Sequence, residues 1–263
     1  MTIIKIGGGD SINLDAITDD LKSVDGPFLI VHGANALRDA LAEKLGIEKK
    51  VLTSISGVDS VYSDEQAIDL QMMAYAGLAN KRLVSLCQQK GVNAIGLSGL
   101  DGRIIQGRRN TGIRVREKGK NRIVRDLSGK PASINNELLN WLIDSGYVPV
   151  LCVPIASENG GPLNSENDDI VAVLQQATTA DTVIHLIEAP GFLADPGDES
   201  TVMNTMSAAE IAKACDESTG RIKRKLLSIK RLLDNNTKRI IITDGRVASP
   251  IARALQGEGT TIQ

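Results

Sequence analysis

The sequence predicts an α/β fold in which a largely parallel sheet is covered by helices on both faces. Short apolar, β-branched runs alternate with amphipathic helical stretches along most of the 263 residues, as in repeated βα units. Glycine-rich and polar stretches follow directly on the apolar runs, at the carboxyl ends of strands, where such sheets collect ligands. No internal repeat or low-complexity segment interrupts the alternation.

Thr2–Ile6 is short, apolar and β-branched and reads as a buried strand. Lys5 interrupts the run, and Gly7, Gly8 and Gly9 follow at once. A helical pattern covers residues 12–24, then a strand 28–31 and a helix 36–45. Residues 64–91 read as a long helical region broken near Gly77, followed by a strand at 94–97. Residues 135–145 form a helix closed by Gly146, a natural cap glycine. Strands at 148–155, 182–187, 239–243 and 260–262 alternate with helices at 168–178, 208–214, 221–233 and 250–255. Glu, Asn, Gly and Pro cluster at 157–162, which places a boundary between lobes 1–157 and 158–263.

Composition narrows the classes of function. The chain is long enough to bury a sizeable core, as one large domain or two closely joined lobes. Aromatic residues are 2% of the chain, so the core must be aliphatic. A net charge of −2 gives no overall pull toward nucleic acid or membrane. Cys87, Cys152 and Cys215 are odd in number and far apart, which predicts reduced thiols in a cytoplasmic protein and no structural zinc. No signal peptide is expected, and no apolar run approaches the roughly 20 residues that span a bilayer.

Four strand-end stretches carry residue types suited to chemistry. In the first, Lys5 stands beside three glycines whose exposed N–H groups can cradle phosphate oxygens; the plain alternative is a tight turn. The second is His32-Gly33-Ala34-Asn35, a strand running into a helix start that can hold an anion, or a strand-end histidine packed in place. The third runs from Leu163 to Asp168; Asp168 caps a helix or orients nearby lysines. The fourth runs from Gly220 to Lys225 and is either a solvated helix face or a source of cations. No Walker motif, protein-kinase set or G-x-S-x-G is present.

Together these stretches, with Gly96–Gly102, Asp244-Gly245-Arg246-Val247 and the ending Gly257-Glu258-Gly259-Thr260, resemble the N-acetylglutamate kinase branch of the amino-acid kinase superfamily. Within it the likeness is to LysW-aminoadipate and LysW-glutamate kinases, which phosphorylate the side-chain carboxylate of an amino acid whose amine is held by a small acidic carrier protein. The resemblance implies a three-layer αβα fold, an acceptor-binding N-terminal lobe, an ATP-binding C-terminal lobe, a homodimer and Mg²⁺ carried with the nucleotide. By resemblance, Lys5 and Lys225 flank the transferring phosphoryl group and Asp168 holds both. Gly7 and Gly8 belong to the ATP site, with Pro190, Gly191 and Phe192 at the nucleotide edge. Gly33, Ala34, Val61 and Asn164 take the acceptor, and the N–H groups of Gly8 and Gly33 face phosphate and acceptor. Alanine at Lys5 or Lys225 is expected to cost at least about 10²–10³ in rate with folding unchanged.

The sequence departs from that family at the acceptor. Val61 stands where an arginine usually grips the acceptor's α-carboxylate, and Asp59 where a second is common; neither exchange is conservative. Residues 103–130 hold ten Arg and Lys against Glu117 and Asp126. Strands at 113–115 and 122–124 with a tip at Lys118-Gly119-Lys120-Asn121 read as a basic hairpin. Arg108, Arg109, Arg114, Arg116, Lys118, Lys120 and Arg122 are therefore expected to dock an acidic carrier rather than nucleic acid, the plain alternative being a solvated hairpin. The alternatives are the same chemistry on free N-acetylglutamate, or a non-catalytic nucleotide-binding regulator.

Overall fold

The computed structural model describes residues 1–55, 59–117, 120–218 and 220–263. The chain opens with β1 (Thr2–Ile6), α1 (Leu14–Asp20), β2 (Phe28–His32), α2 (Asn35–Leu45), β3 (Val51–Thr53) and β4 (Asp59–Val61). A long helical rod follows: α3 (Glu65–Gln71), a π-helical stretch Met72–Ala79 and α4 (Asn80–Gln89). Then come β5 (Ala94–Gly99), β6 (Ile105–Arg109), β7 (Ile113–Glu117), β8 (Lys120–Val124), β9 (Gly129–Ile134), α5 (Asn136–Asp144), β10 (Val148–Ala156) and β11 (Pro162–Leu163). The remainder is α6 (Asn167–Thr178), β12 (Thr182–Ile187), β13 (Thr205–Met206), α7 (Ala208–Glu217), α8 (Gly220–Asp234), β14 (Arg239–Asp244), α9 (Pro250–Leu255) and β15 (Thr260–Ile262).

One main sheet runs in the order β13-β15-β14-β12-β1-β2-β10-β6-β9, with β5 and β11 also on β10. Its centre is parallel, because each of these strands returns through a crossover. Antiparallel pairs occur at β14/β15, β6/β9 and β10/β11. Side-chain alternation divides the core. Ile4, Ile6, Ile30 and Ile184 pack with Ile17 of α1, Leu83 of α4 and Ile251 of α9. Ile3, Leu29, Val31 and Val183 face the other way, against Leu139 of α5, Ile170 of α6, Ile211 of α7 and Leu226 of α8. The result is a three-layer αβα sandwich.

Most helix ends follow from local chemistry. Asn13, Asp64 and Asn135 accept a backbone N–H at the starts of α1, α3 and α5, and Ser207 with Glu210 makes a reciprocal capping box on α7. Around Gly77 the helix does not break; it widens to π geometry over Met72–Ala79 and continues into α4. The 157–162 segment is a tight turn between β10 and β11, in which Ser157 N–H donates to Gly161 O. The sheet runs on across the expected lobe boundary through the β1–β12 pair.

Candidate active site

Two glycine loops meet at the carboxyl ends of β1 and β2. A side chain at Gly8 would place its Cβ 2.6 Å from Ala34 N, and one at Gly33 would lie 2.9 Å from Gly8 Cα. Backbone packs on backbone here, which explains glycine at both positions. Gly7 N–H donates to Leu186 O (2.8 Å), Gly33 N–H to Ile6 O (2.9 Å) and Ala36 N–H to Gly8 O (2.9 Å). The N–H role expected of Gly33 does not fit this bonding. The Gly7 and Gly33 N–H groups extend the sheet ladder and are not available to phosphate or acceptor; the glycines shape the loops. Glu188 closes over the far side, where a Cβ on Gly9 would collide with its carboxylate. Its Oε1 accepts from the Ser11 N–H (3.1 Å) and from the Ser11 hydroxyl.

Lys5 shares a sheet face with Ile3, and parallel register sets it opposite His185 of β12. The start of α6 lies over that face. Asp168 is the second residue of α6, and Glu166 occupies the cap position, so Asp168 is not the N-cap. Its carboxylate instead lies 3.3 Å from Lys5 Nζ and 4.0 Å from His185 Nδ1. Burial alone would raise the Asp168 pKa; Lys5, the His185 ring and Lys225 together hold it below the ordinary carboxylate value. Burial lowers His185 to about 4, with Lys5 and Lys225 adding to that and Asp168 opposing it. The imidazole is therefore neutral near pH 7. Lys5 is buried and Lys225 exposed, yet both act on the same carboxylate. α8 is fixed over α6 by Arg224 to Glu166 (3.3 Å) and Arg231 to Asp169 (2.9 Å). The 220–225 stretch is thus partly an interhelix seam rather than a wholly solvated face.

Two of the four acceptor-side candidates, Val61 and Asn164, line a cavity that Gly33 and Ala34 do not. Val61, Ser63, Gln71 and Asn164 stand in its walls with Arg38 and Lys50. Gln71 Nε2 donates to Asn164 Oδ1 (2.6 Å), and Asn164 Nδ2 donates to Ser63 Oγ (3.0 Å). Ala34 is buried beside the Gly8 loop. His32 is a packed structural histidine: its Nδ1 donates to Gly33 O (3.2 Å), and its Nε2 accepts from Asn80 Nδ2 (3.1 Å). Burial lowers its pKa to about 4.

On the opposite side, Phe192 N–H donates to Thr260 Oγ1 (2.8 Å). A Cβ on Gly191 would fall 2.6 Å from that same oxygen, so the Pro190–Phe192 turn is pinned to β15. Arg246 forks between Asp244 and Glu199 nearby. The basic hairpin forms as β7/β8, and Arg108, Arg109, Arg114, Arg116, Lys120 and Arg122 are exposed. Arg109 Nε also donates to Asp126 O (2.7 Å). Lys118 lies outside the described residues. Asp126 is buried, accepting from Ser63 and Ser128. Sequence reasoning missed His185, Glu188 and Gln71. His185 had one signal, a single polar ring inside an otherwise apolar run.

A buried lysine–aspartate pair stands beside a glycine loop at the strand ends, and the helix bearing a second lysine packs on the helix that carries the aspartate; this is the build of a phosphoryl-transfer enzyme on a parallel sheet. The chain belongs to the amino acid kinase family, matching it over residues 1–244. It is 38% identical to the LysW-aminoadipate kinase of Thermus thermophilus, with all of both chains covered. It is 36% identical to the LysW-aminoadipate kinase of Deinococcus radiodurans, covering all of this chain and 91% of that one. Among solved structures, the N-acetylglutamate synthase of Neisseria gonorrhoeae superposes with a TM-score of 0.78 at 19% identity. That match covers 99% of this chain and 58% of the synthase, and speaks for the fold alone.

Proposed function

We propose that this chain transfers the γ-phosphoryl group of ATP to the side-chain carboxylate of an acidic amino acid whose α-amine is held by a small acidic carrier protein. The acceptor is 2-aminoadipate, glutamate or a close derivative, as the names of the relatives suggest. The observation that carries the reading is the buried Lys5–Asp168 pair, 3.3 Å from Nζ to Oδ1, beside the strand-end glycine loop. A carboxylate is already nucleophilic, so the reaction needs no general base. Its difficulty is the meeting of two anions, and catalysis is positioning plus charge neutralisation.

In this mechanism Asp168 fixes Lys5 on the γ-phosphate while Lys225 reaches the same group from α8. The N-terminal lobe, 1–157, holds the acceptor in the cavity of Val61 and Asn164, with Gly33 and Ala34 also taking part. The C-terminal lobe, 158–263, holds the nucleotide, whose edge lies along Pro190, Gly191 and Phe192. Among the described residues no group of three or more His, Cys, Asp or Glu could cage a metal ion. Mg²⁺ would come with the nucleotide, where it would neutralise phosphate charge.

The carrier would dock on the basic hairpin. Ile55 N–H donates to Arg114 O (2.8 Å), joining β7 to the chain just after β3, and β3 pairs Val51 with Val61. The hairpin therefore adjoins the wall of the acceptor cavity, which suits a carrier that delivers its cargo on an arm. A homodimer in the cytoplasm completes the proposal; among the described residues no helix is long and apolar enough to cross a membrane. ADP release is the test, measured with the loaded carrier, with N-acetylglutamate, and with neither. The proposal requires release with the carrier alone. Equal turnover of N-acetylglutamate would make the free acid the substrate, and silence with both would leave a non-catalytic binder.

A further inference from the structure

We propose that Gln71 recognises the acceptor by accepting a hydrogen bond from the amide N–H that ties the amino acid to its carrier. The inference rests on the carrier-bound acceptor proposed above and names the residue that reads its linkage. Gln71 ends α3 and is 4% exposed. Its Nε2 is occupied by Asn164 Oδ1 at 2.6 Å. Its Oε1 is buried and has no hydrogen-bond partner among the described residues. A buried amide oxygen left unpaired costs free energy comparable to a lost hydrogen bond, so a ligand donor is the natural complement. The residue stands in the wall of the cavity that also holds Val61 and Asn164.

Chemistry selects the donor. With its amine acylated and its acids ionised, the acceptor presents carboxylate and carbonyl oxygens, which a carbonyl oxygen repels. The linking amide N–H is the one hydrogen-bond donor near its α-carbon. Asn164 is held by Gln71 on one side and by Ser63 Oγ on the other, so the row Gln71–Asn164–Ser63 is oriented before the ligand arrives. Val61 adds an apolar wall.

The test compares two loaded carriers, one bearing 2-aminoadipate through the natural amide and one bearing 2-hydroxyadipate through an ester, which lacks the N–H. Each is assayed on wild type and on Gln71→Met. The wild type should use the ester carrier about ten- to a hundredfold less efficiently, chiefly through KM. Gln71→Met should impose a similar loss on the amide carrier and little further loss on the ester. The KM for ATP should hold, while the melting temperature should fall, because Asn164 Oδ1 loses its donor. Equal use of amide and ester by the wild type would overturn the assignment, and that arm does not depend on the variant folding. So would a Gln71→Met loss of equal size on both carriers. If the wild type binds ADP but turns over neither carrier, the acceptor reading itself falls, and this assignment falls with it.

Discussion

Lys5 Nζ lies 3.3 Å from Asp168 Oδ1, joining the central strand of the sheet to the first turn of the helix that covers it. A buried pair of this kind is weak evidence for stability, because desolvating two charges costs about as much as their attraction returns. Its placement beside a glycine loop, with Lys225 acting on the same carboxylate, is better explained by a third charge that arrives with substrate.

The two lysines should therefore differ when removed. Alanine at either is expected to lower kcat by about 10²–10³. Lys225 is exposed, so Lys225→Ala should leave the melting temperature unchanged. Lys5→Ala strips a buried carboxylate of its nearest cation and should also cost about 1–3 kcal/mol of stability. Unchanged folding is thus predicted for Lys225→Ala alone. ADP-release kinetics beside urea melts separate the two effects, and near-wild-type turnover of both variants would refute the site.

Acid should destabilise the protein through two buried imidazoles. His32 and His185 each have a folded-state value of about 4, against 6.5 for a free side chain. Both values are depressed, so below pH 6.5 the unfolded chain binds protons that the native state refuses. Their stabilising contribution is complete above pH 6.5 and is lost as pH falls toward 4. The loss approaches roughly 3 kcal/mol per histidine. Urea melts at pH 7, 5.5 and 4.5 should show it. His185→Leu should halve the slope, and a melt independent of pH across that window would contradict the buried, neutral assignment.

Gly8→Ala tests the seam between the loops. The added methyl would meet the backbone nitrogens of Ala34 and Asn35 at 2.6 and 2.7 Å, and backbone cannot swing aside as a side chain can. Overpacking of this kind costs about 1–3 kcal/mol. Activity should fall further than stability, because the displaced loops carry the strand-end site. Gly46→Ala has open space around its Cβ but a φ of +66°, so it should show a stability cost from strain and no loss of kcat.

Much of this was legible in the sequence, for identifiable reasons. Thr2–Ile6, Thr182–Ile187 and Arg239–Asp244 lie deep in a parallel sheet and read as apolar runs. β6, written Ile-Gln-Gly-Arg-Arg, and β9 pair near the sheet edge with exposed side chains, so neither shows an apolar run. The widening at Met72–Ala79 leaves no composition mark, and glycine there was read as a break. Lys5 and Asp168 could be named from their loops, but their 3.3 Å pairing needed the sheet order. Gln71 looked like any polar residue on a helix; it is buried because Asn164, 93 residues away, folds against it.

The basic hairpin yields a prediction that its strand geometry sharpens. Opposite residues of an antiparallel pair share a face, so Arg114 and Arg116 lie with Asn121 and the exposed Ile123. Arg122 and Lys120 lie on the other face, which also bears the buried Val115. A carrier docking by charge should therefore meet the Arg114–Arg116 face, where an exposed apolar side chain is at hand. Reversing both charges (Arg114→Glu with Arg116→Glu) should raise the KM for the loaded carrier about tenfold or more and leave that for ATP unchanged. Wild-type carrier binding should weaken steeply between 0.05 and 0.5 M salt, as the Debye length shrinks below about 10 Å. The double variant should show a flatter dependence. Salt-independent binding by the wild type, or an equal loss from Lys120→Glu with Arg122→Glu, would move the docking surface off this face.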